Sequence, residues 1–202
     1  MKWKQLTKPS GDKGNSHFGM KGGRLSKGHR IFEILGEIDM LNAYLGMCYF
    51  PSPLDTLEKI HKYLGEDLDP TSAVKLQSFN RKYMGYLHTG AKKSGTLLDQ
   101  ELEDLNAALD ILTTDLDALD PNGPQGWHDY DSAWFLACCQ CRKVERLLVL
   151  SWEEKTGNTP SDYGKIIFPN MEDGEKILAI YNRMSKVLYC LGILYSKTEK
   201  YE

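Results

Sequence analysis

The sequence predicts an all-α fold: an antiparallel five-helix bundle preceded by an ordered, glycine- and lysine-rich N-terminal loop. Three observations predict it. Apolar residues recur at threes and fours through five segments, most of them about 17–25 residues long. Turns and modest loops separate those segments. The chain also lacks βαβ alternation and any internal repeat. Its 202 residues, 41% of them hydrophobic, suffice for one core, so residues 1–202 are expected to form one domain, with 1–28 as a loop segment and 29–202 as the bundle.

Residues 7–28 contain six glycines, one proline and small polar residues, which oppose any long regular element. The first helix is expected over about 29–49. Ile31, Ile34, Leu35, Ile38, Leu41 and Leu45 fall on one face, and Pro51 and Pro53 end it. A further short helix is expected over about 54–65. The second long helix covers about 72–91, with a looser stripe of Leu76, Phe79, Tyr83, Tyr86 and Leu87. The third, about 96–112, carries Leu98, Leu102, Leu105, Leu109 and Leu112, opposite an acidic face of Asp99, Glu101, Glu103 and Asp104. Residues 117–126 read as a turn. The fourth helix, about 131–155, is lined by Ala133, Ala137, Cys141, Val144 and Leu148. In the loop over 156–173, Ile166, Ile167 and Phe168 read as a short pairing or docking segment. The fifth helix, about 174–196, presents Ile177, Ile180, Met184, Val187, Leu188, Leu191 and Tyr195.

Charge is unevenly placed. Residues 1–30 hold eight basic groups against Asp12 alone, a local +7, whereas the whole chain carries −3, so the remainder carries −10. A basic arm on an acidic body points to an anionic ligand, and the overall charge argues against nucleic acid as that ligand. The five cysteines are odd in number and Cys138, Cys139 and Cys141 are crowded together, which fits reduced thiols in a cytoplasmic setting. No apolar run is expected to span a bilayer.

Two constellations can hold polyphosphate. In the N-terminal segment, glycines allow backbone N–H groups to approach phosphate, Lys8, Lys13 and Lys27 supply countercharge, and Thr7 and Ser10 supply hydroxyls. The spacing is not that of a Walker loop. A flexible basic tail would give the same composition. On the fourth helix, Arg142, Glu145 and Arg146 share one face, an arrangement that suits a triphosphate with its Mg²⁺ and equally an ordinary solvated face. Asp39 and Asn42 lie beside the apolar seam of the first helix, where a capping or inter-helix hydrogen bond is the plainest reading. The clustered cysteines point in different directions on a helix and cannot close a metal site alone, so core or interface packing is expected.

Taken in order, the motifs resemble the PduO-type ATP:cob(I)alamin adenosyltransferases. That family opens on T-K-x-G-D-x-G and then G-x-R-v-S-K. This chain has Thr7, Lys8, Gly11, Asp12 and Gly14 with one extra residue, then Gly22, Arg24, Ser26 and Lys27. The family's G-x-x-D-E-L-N-x-x-x-G corresponds to Gly36, Asp39, Leu41, Asn42 and Gly46. Its C-R-R-A-E-R corresponds to Cys141, Arg142, Lys143, Val144, Glu145 and Arg146, and its L-N-R-L-S-D to residues 181–186.

The resemblance implies a five-helix bundle assembling as a homotrimer, with sites between subunits. It implies transfer of the 5′-deoxyadenosyl group of ATP to the cobalt of cob(I)alamin with release of triphosphate. ATP is then held by Thr7, Lys8, Gly11, Asp12, Gly14, Lys27, Arg142, Glu145, Arg146 and Asn182, with Glu145 meeting Mg²⁺. Asp39 and Asn42 border the corrinoid side, and Arg142 and Asp39 carry the catalytic roles. Several features depart from the family pattern, among them Gly28 and His29 after Lys27, residues 119–123 before the fourth helix, an insertion over about 51–72, and two positions that bear on the site. Cys138 stands where an arginine pairs with the aspartate matched by Asp39, and Lys186 stands where the last motif ends in aspartate. A non-catalytic ATP- or corrinoid-binding regulator or carrier on the same fold is the alternative these departures motivate.

Overall fold

In the computed structural model, which describes residues 13–18, 23–48, 74–89, 95–116, 129–157, 167–168 and 171–198, the six apolar residues of the first predicted stripe are all buried. They line the inner face of α1 (Arg30–Met47). Four further helices follow: α2 (Val74–Thr89), α3 (Gly95–Leu116), α4 (Asp129–Thr156) and α5 (Met171–Thr198). The predicted short helix over 54–65 and the turn over 117–126 lie outside the described residues.

Consecutive helices alternate in direction. Arg30 pairs with Glu154, and Glu37 meets Gln140 and Lys143, so α1 and α4 run antiparallel. Lys75 of α2 pairs with Asp104 of α3. The thiols of Cys138 and Cys141 donate to the carbonyls of Ser185 and Tyr181 at 3.2 and 3.4 Å, which sets α4 antiparallel to α5. Alternation places α3 and α5 in the same direction, and they pack side by side. Asp99 meets Lys176 at 2.8 Å, and Arg183 Nε donates to Asn106 at 3.1 Å one step further along both helices.

α5 is the central element, packed most extensively on α4 and next on α3. Its Met171–Ser196 segment is long and apolar enough to cross a membrane, contrary to the sequence expectation that no run reaches that length. The cause is position: Ile177, Ile180, Tyr181, Met184, Val187, Leu188 and Leu191 are all fully buried between neighbouring helices. Close approach at its two ends depends on glycine. A Cβ on Gly174 would lie 2.2 Å from Trp152, and one on Gly192 would lie 2.8 Å from Phe135. α5 starts at Met171, so Gly174 lies inside the helix and not at its start. Ile167 and Phe168 are buried, Phe168 edge-on to Trp152, so these two residues dock on the bundle; Ile166 lies outside the described residues.

The acidic face expected on α3 is split: Asp99 and Glu103 are exposed, whereas Glu101 and Asp104 are buried. Glu101 and Asp104 are 5% and 8% exposed, because α2 covers that side and brings Lys75 onto Asp104. Burial pushes the Glu101 carboxyl up to about 7, against the pull of Lys75.

A chain of polar groups crosses the core. Asn80, fully buried, donates from Nδ2 to Asn42 Oδ1 at 3.0 Å and accepts at Oδ1 from the Tyr181 hydroxyl at 3.0 Å. Gln77 Nε2 donates to the Asn42 carbonyl at 2.8 Å. The inter-helix hydrogen bond expected at Asn42 therefore ties α1 to α2, and through Asn80 to α5.

Part of the N-terminal segment read as loop is an antiparallel hairpin, β1 (Asn15–Phe18) and β2 (Gly23–Ser26), with Asn15 opposite Ser26 and Phe18 opposite Gly23. Alternation sends Phe18 and Leu25 onto the core, where Phe18 meets Phe32 edge-on at 6.2 Å. The open end is closed by the Lys27 N–H donating to the Gly14 carbonyl at 2.7 Å. Gly14 has φ +72°, a conformation glycine adopts without a Cβ clash. His29 then caps α1, its Nδ1 accepting from the Ile31 N–H at 3.1 Å.

Candidate functional site

The inner face of α4 is fixed by Trp134, Ala137, Cys138, Cys141, Val144 and Leu148, all buried. The adjoining stripe, advancing by threes and fours, is Arg142, Glu145, Arg146, Val149, Leu150 and Glu153. With Asn182, Ser185 and Lys186 of α5 it lines a groove of about 540 Å³. Known small-molecule sites fall in the range of about 300–1,000 Å³.

Three cations converge on this groove. Arg142, Arg146 and Lys186 make no ion pair among the described residues, although Glu145 and Glu153 line the same groove. Elsewhere Arg30, Lys75, Lys143 and Lys176 each hold a carboxylate. Cations gathered in a concavity without carboxylate partners suit an anion from outside. The Arg142 guanidinium lies over the Tyr189 ring, 5.7 Å from its centroid, which braces it without neutralising it.

One of the groove's two carboxylates, Glu145, is oriented. Asn182 Nδ2 donates to Glu145 Oε1 at 2.9 Å, while Asn182 Oδ1 accepts from Arg183 at 3.1 Å. The Ser185 hydroxyl donates to the Asn182 carbonyl at 3.0 Å. One oxygen of Glu145 is thus committed to the protein. No cluster of three or more metal-ligating side chains occurs among the described residues. A hard divalent cation here would take one carboxylate plus ligand oxygens and water, the usual habit of Mg²⁺ with a nucleotide. The donor set fits that ion.

Four predicted ATP-side residues, Arg142, Glu145, Arg146 and Asn182, are brought together in the groove. Gly14 and Lys27 meet at the base of the hairpin. Thr7, Lys8, Gly11 and Asp12 lie outside the described residues. Asp39 and Asn42 are not among the groove residues. Asp39 is exposed on the outer side of α1, and Asn42 is engaged by Asn80. Cys138 points into the core toward Ser185, so within one chain it does not face Asp39. Burial raises the Cys138 thiol to about 11 and holds the Cys141 thiol well above its usual value, leaving both as protonated hydrogen-bond donors.

Sequence reasoning missed Val149, Leu150, Glu153, Ser185, Lys186 and the bracing ring of Tyr189. Extending the helical stripe from Arg142 by seven, eight and eleven residues reaches the first three. Stepping three and four residues from Asn182 reaches Ser185 and Lys186.

Comparison with known proteins identifies the family and the fold. The family model described as cobalamin adenosyltransferase matches residues 6–195. The fold is similar to a solved PduO-type ATP:corrinoid adenosyltransferase variant from Lactobacillus reuteri, complexed with cobalamin and ATP. The TM-score is 0.60 at 16% identity, over 96% of this chain and 95% of that one. No curated protein sequence matches.

Proposed function

Because this chain belongs to the cobalamin adenosyltransferase family, we infer that it transfers the 5′-deoxyadenosyl group of ATP to the cobalt of cob(I)alamin and releases triphosphate. The single observation that carries the residue assignment is the convergence of Arg142, Arg146 and Lys186 around Glu145 and Asn182 in one groove. Reduced cobalt is the nucleophile, its electron pair forming the bond to C5′ as the C5′–O bond breaks. The protein therefore needs no catalytic base. It needs to hold C5′ in line and to stabilise charge accumulating on the leaving polyphosphate.

In this reading Arg142 and Arg146 bind phosphate oxygens, and Asn182 keeps Glu145 turned toward the groove. Glu145 would hold Mg²⁺, which would supply positive charge to offset that of the phosphates. Thr7, Lys8, Gly11, Asp12, Gly14 and Lys27 of the 1–28 segment take part in holding ATP. Asp39 and Asn42 border the corrinoid side, with Asp39 joining Arg142 in catalysis. Residues 1–202 act as one domain. A homotrimer in the cytoplasm is part of the same reading; the exposed Met40 and Met47 of α1 and Leu136 of α4 support burial of an outer face between subunits.

The inward position of Cys138 favours one second reading, a non-catalytic binder of ATP or corrinoid on the same bundle. One anaerobic assay separates the two. The protein is given Mg·ATP and chemically reduced cobalamin, and adenosylcobalamin is followed by its absorbance. Formation with turnover supports the transferase. ATP binding without product supports the carrier or regulator, and absence of ATP binding overturns both.

A further inference from the structure

Lys186 is the one groove cation that the family pattern does not supply, since that motif ends in aspartate. It lies four residues after Asn182, exposed, on the same face of α5, across the groove from Arg142 and Arg146. It makes no ion pair among the described residues. The groove side chains carry three positive charges against two negative ones; with aspartate at 186 they would carry two against three.

We propose that Lys186 is a third polyphosphate-binding residue of this site, setting how tightly the triphosphate moiety is held both in ATP and after release. The inference rests on the reading of the groove as the polyphosphate site. Arg142 is braced by Tyr189, and Glu145 is tied to Asn182, so these two groups have restricted settings. Lys186 is a point charge on a flexible stem, free to follow the phosphates through the reaction. Its contribution is to the charged tail of the nucleotide, and the adenosine end gains nothing from it.

The test is calorimetric titration of the full chain with three probes: Mg²⁺–tripolyphosphate, Mg·ATP and adenosine. The variants are Lys186→Ala and Lys186→Asp, with Lys143→Ala as a charge-matched control, because Lys143 is paired to Glu37 outside the groove. Removing one charge-assisted contact weakens tripolyphosphate and ATP by roughly tenfold in Lys186→Ala, and reversing the charge weakens them by roughly a hundredfold in Lys186→Asp. Adenosine binding and the control stay within about twofold. The side chain is exposed, so both variants should fold, and a melting scan checks this. Tripolyphosphate affinity unchanged in Lys186→Asp overturns the proposal. So does an equal loss for adenosine, which would signal a distorted groove. If the unaltered protein binds neither ATP nor tripolyphosphate, the polyphosphate reading itself has failed, and that result is distinct from the other two.

Discussion

The guanidinium of Arg142 stands 5.7 Å from the centre of the Tyr189 ring, and Phe135 holds that ring from the other helix in an edge-on contact of 5.9 Å. An arginine without a carboxylate partner would otherwise sample many rotamers. The aromatic face limits it to settings that point along the groove, at an interaction strength of about 0.5–2 kcal/mol. Tyr189→Phe keeps the ring and should hold KM for ATP within about twofold. Tyr189→Leu removes it and should raise KM roughly three- to tenfold, with the KM for cobalamin unchanged. Steady-state kinetics on both variants decides the matter, and equal behaviour of the two would refute a positioning role.

Asn182 offers a separate handle on the metal. Its amide donates to one oxygen of Glu145 and accepts from Arg183, so the carboxylate is held from behind. Loss of an outer hydrogen bond of this kind commonly weakens metal use by about 10–100-fold. Asn182→Ala should therefore raise the Mg²⁺ concentration needed for half-maximal activity by roughly tenfold. Saturating Mg²⁺ should recover much of the rate. Chelation should abolish turnover in both forms, and an unchanged Mg²⁺ requirement in the variant would remove Glu145 from the metal's shell.

Buried Glu101 makes stability depend on pH. Burial raises its carboxyl from the usual 4.5 to about 7, so the folded chain binds a proton that the unfolded chain has released across that window. Stability should then fall as pH rises from about 4.5 to about 7 and level off above it, by at most about 3 kcal/mol. Lys75, Lys82 and Asp104 surround the group, and the lysines temper the rise. Glu101→Gln removes the titration. Urea midpoints should show the variant more stable than the parent at pH 8 and nearly equal to it at pH 5. A constant difference at both values would mean that Glu101 is not the group responsible.

The bundle was legible because five apolar stripes with helical spacing, such as Ile31 to Leu45, require a common core. The groove was half legible. Arg142, Glu145 and Arg146 share a helical face by spacing alone, but that spacing also fits an ordinary solvated surface. Only the partner helix, bringing Asn182 and Lys186 opposite them, distinguishes the two. The β-hairpin was hidden by its glycines, since the pairing of Ser16 with Leu25 and Phe18 with Gly23 leaves only two apolar residues to mark an inward face. Glu101 was misjudged because a charged residue on a stripe of charged residues carries no sign of the helix that will cover it. The same gap concealed Asn80, an ordinary amide in the second helix until Asn42 and Tyr181 are seen on either side.

Asn80 is the most exacting of these positions. Fully buried, it satisfies the side chain of Asn42 on one side and the hydroxyl of Tyr181 on the other, each at 3.0 Å. Asn80→Leu would strand the buried Tyr181 hydroxyl and unpair the half-buried Asn42 side chain while keeping similar bulk. Leaving a buried group unsatisfied costs about 1–3 kcal/mol, so the pair should cost about 2–5 kcal/mol in denaturant unfolding. Asn80→Asp retains an acceptor for Tyr181 but loses the donor to Asn42 and adds a buried charge, so it should be destabilised most at high pH. Tyr181→Phe in the parent should cost only about 1 kcal/mol, because Asn80 keeps its bond to Asn42. In the Asn80→Leu background the same change should be nearly neutral, since the hydroxyl has already lost its acceptor. A double-mutant cycle reads this coupling directly. Strict additivity of the two changes would show that the hydrogen-bond chain through Asn80 does not operate as one unit.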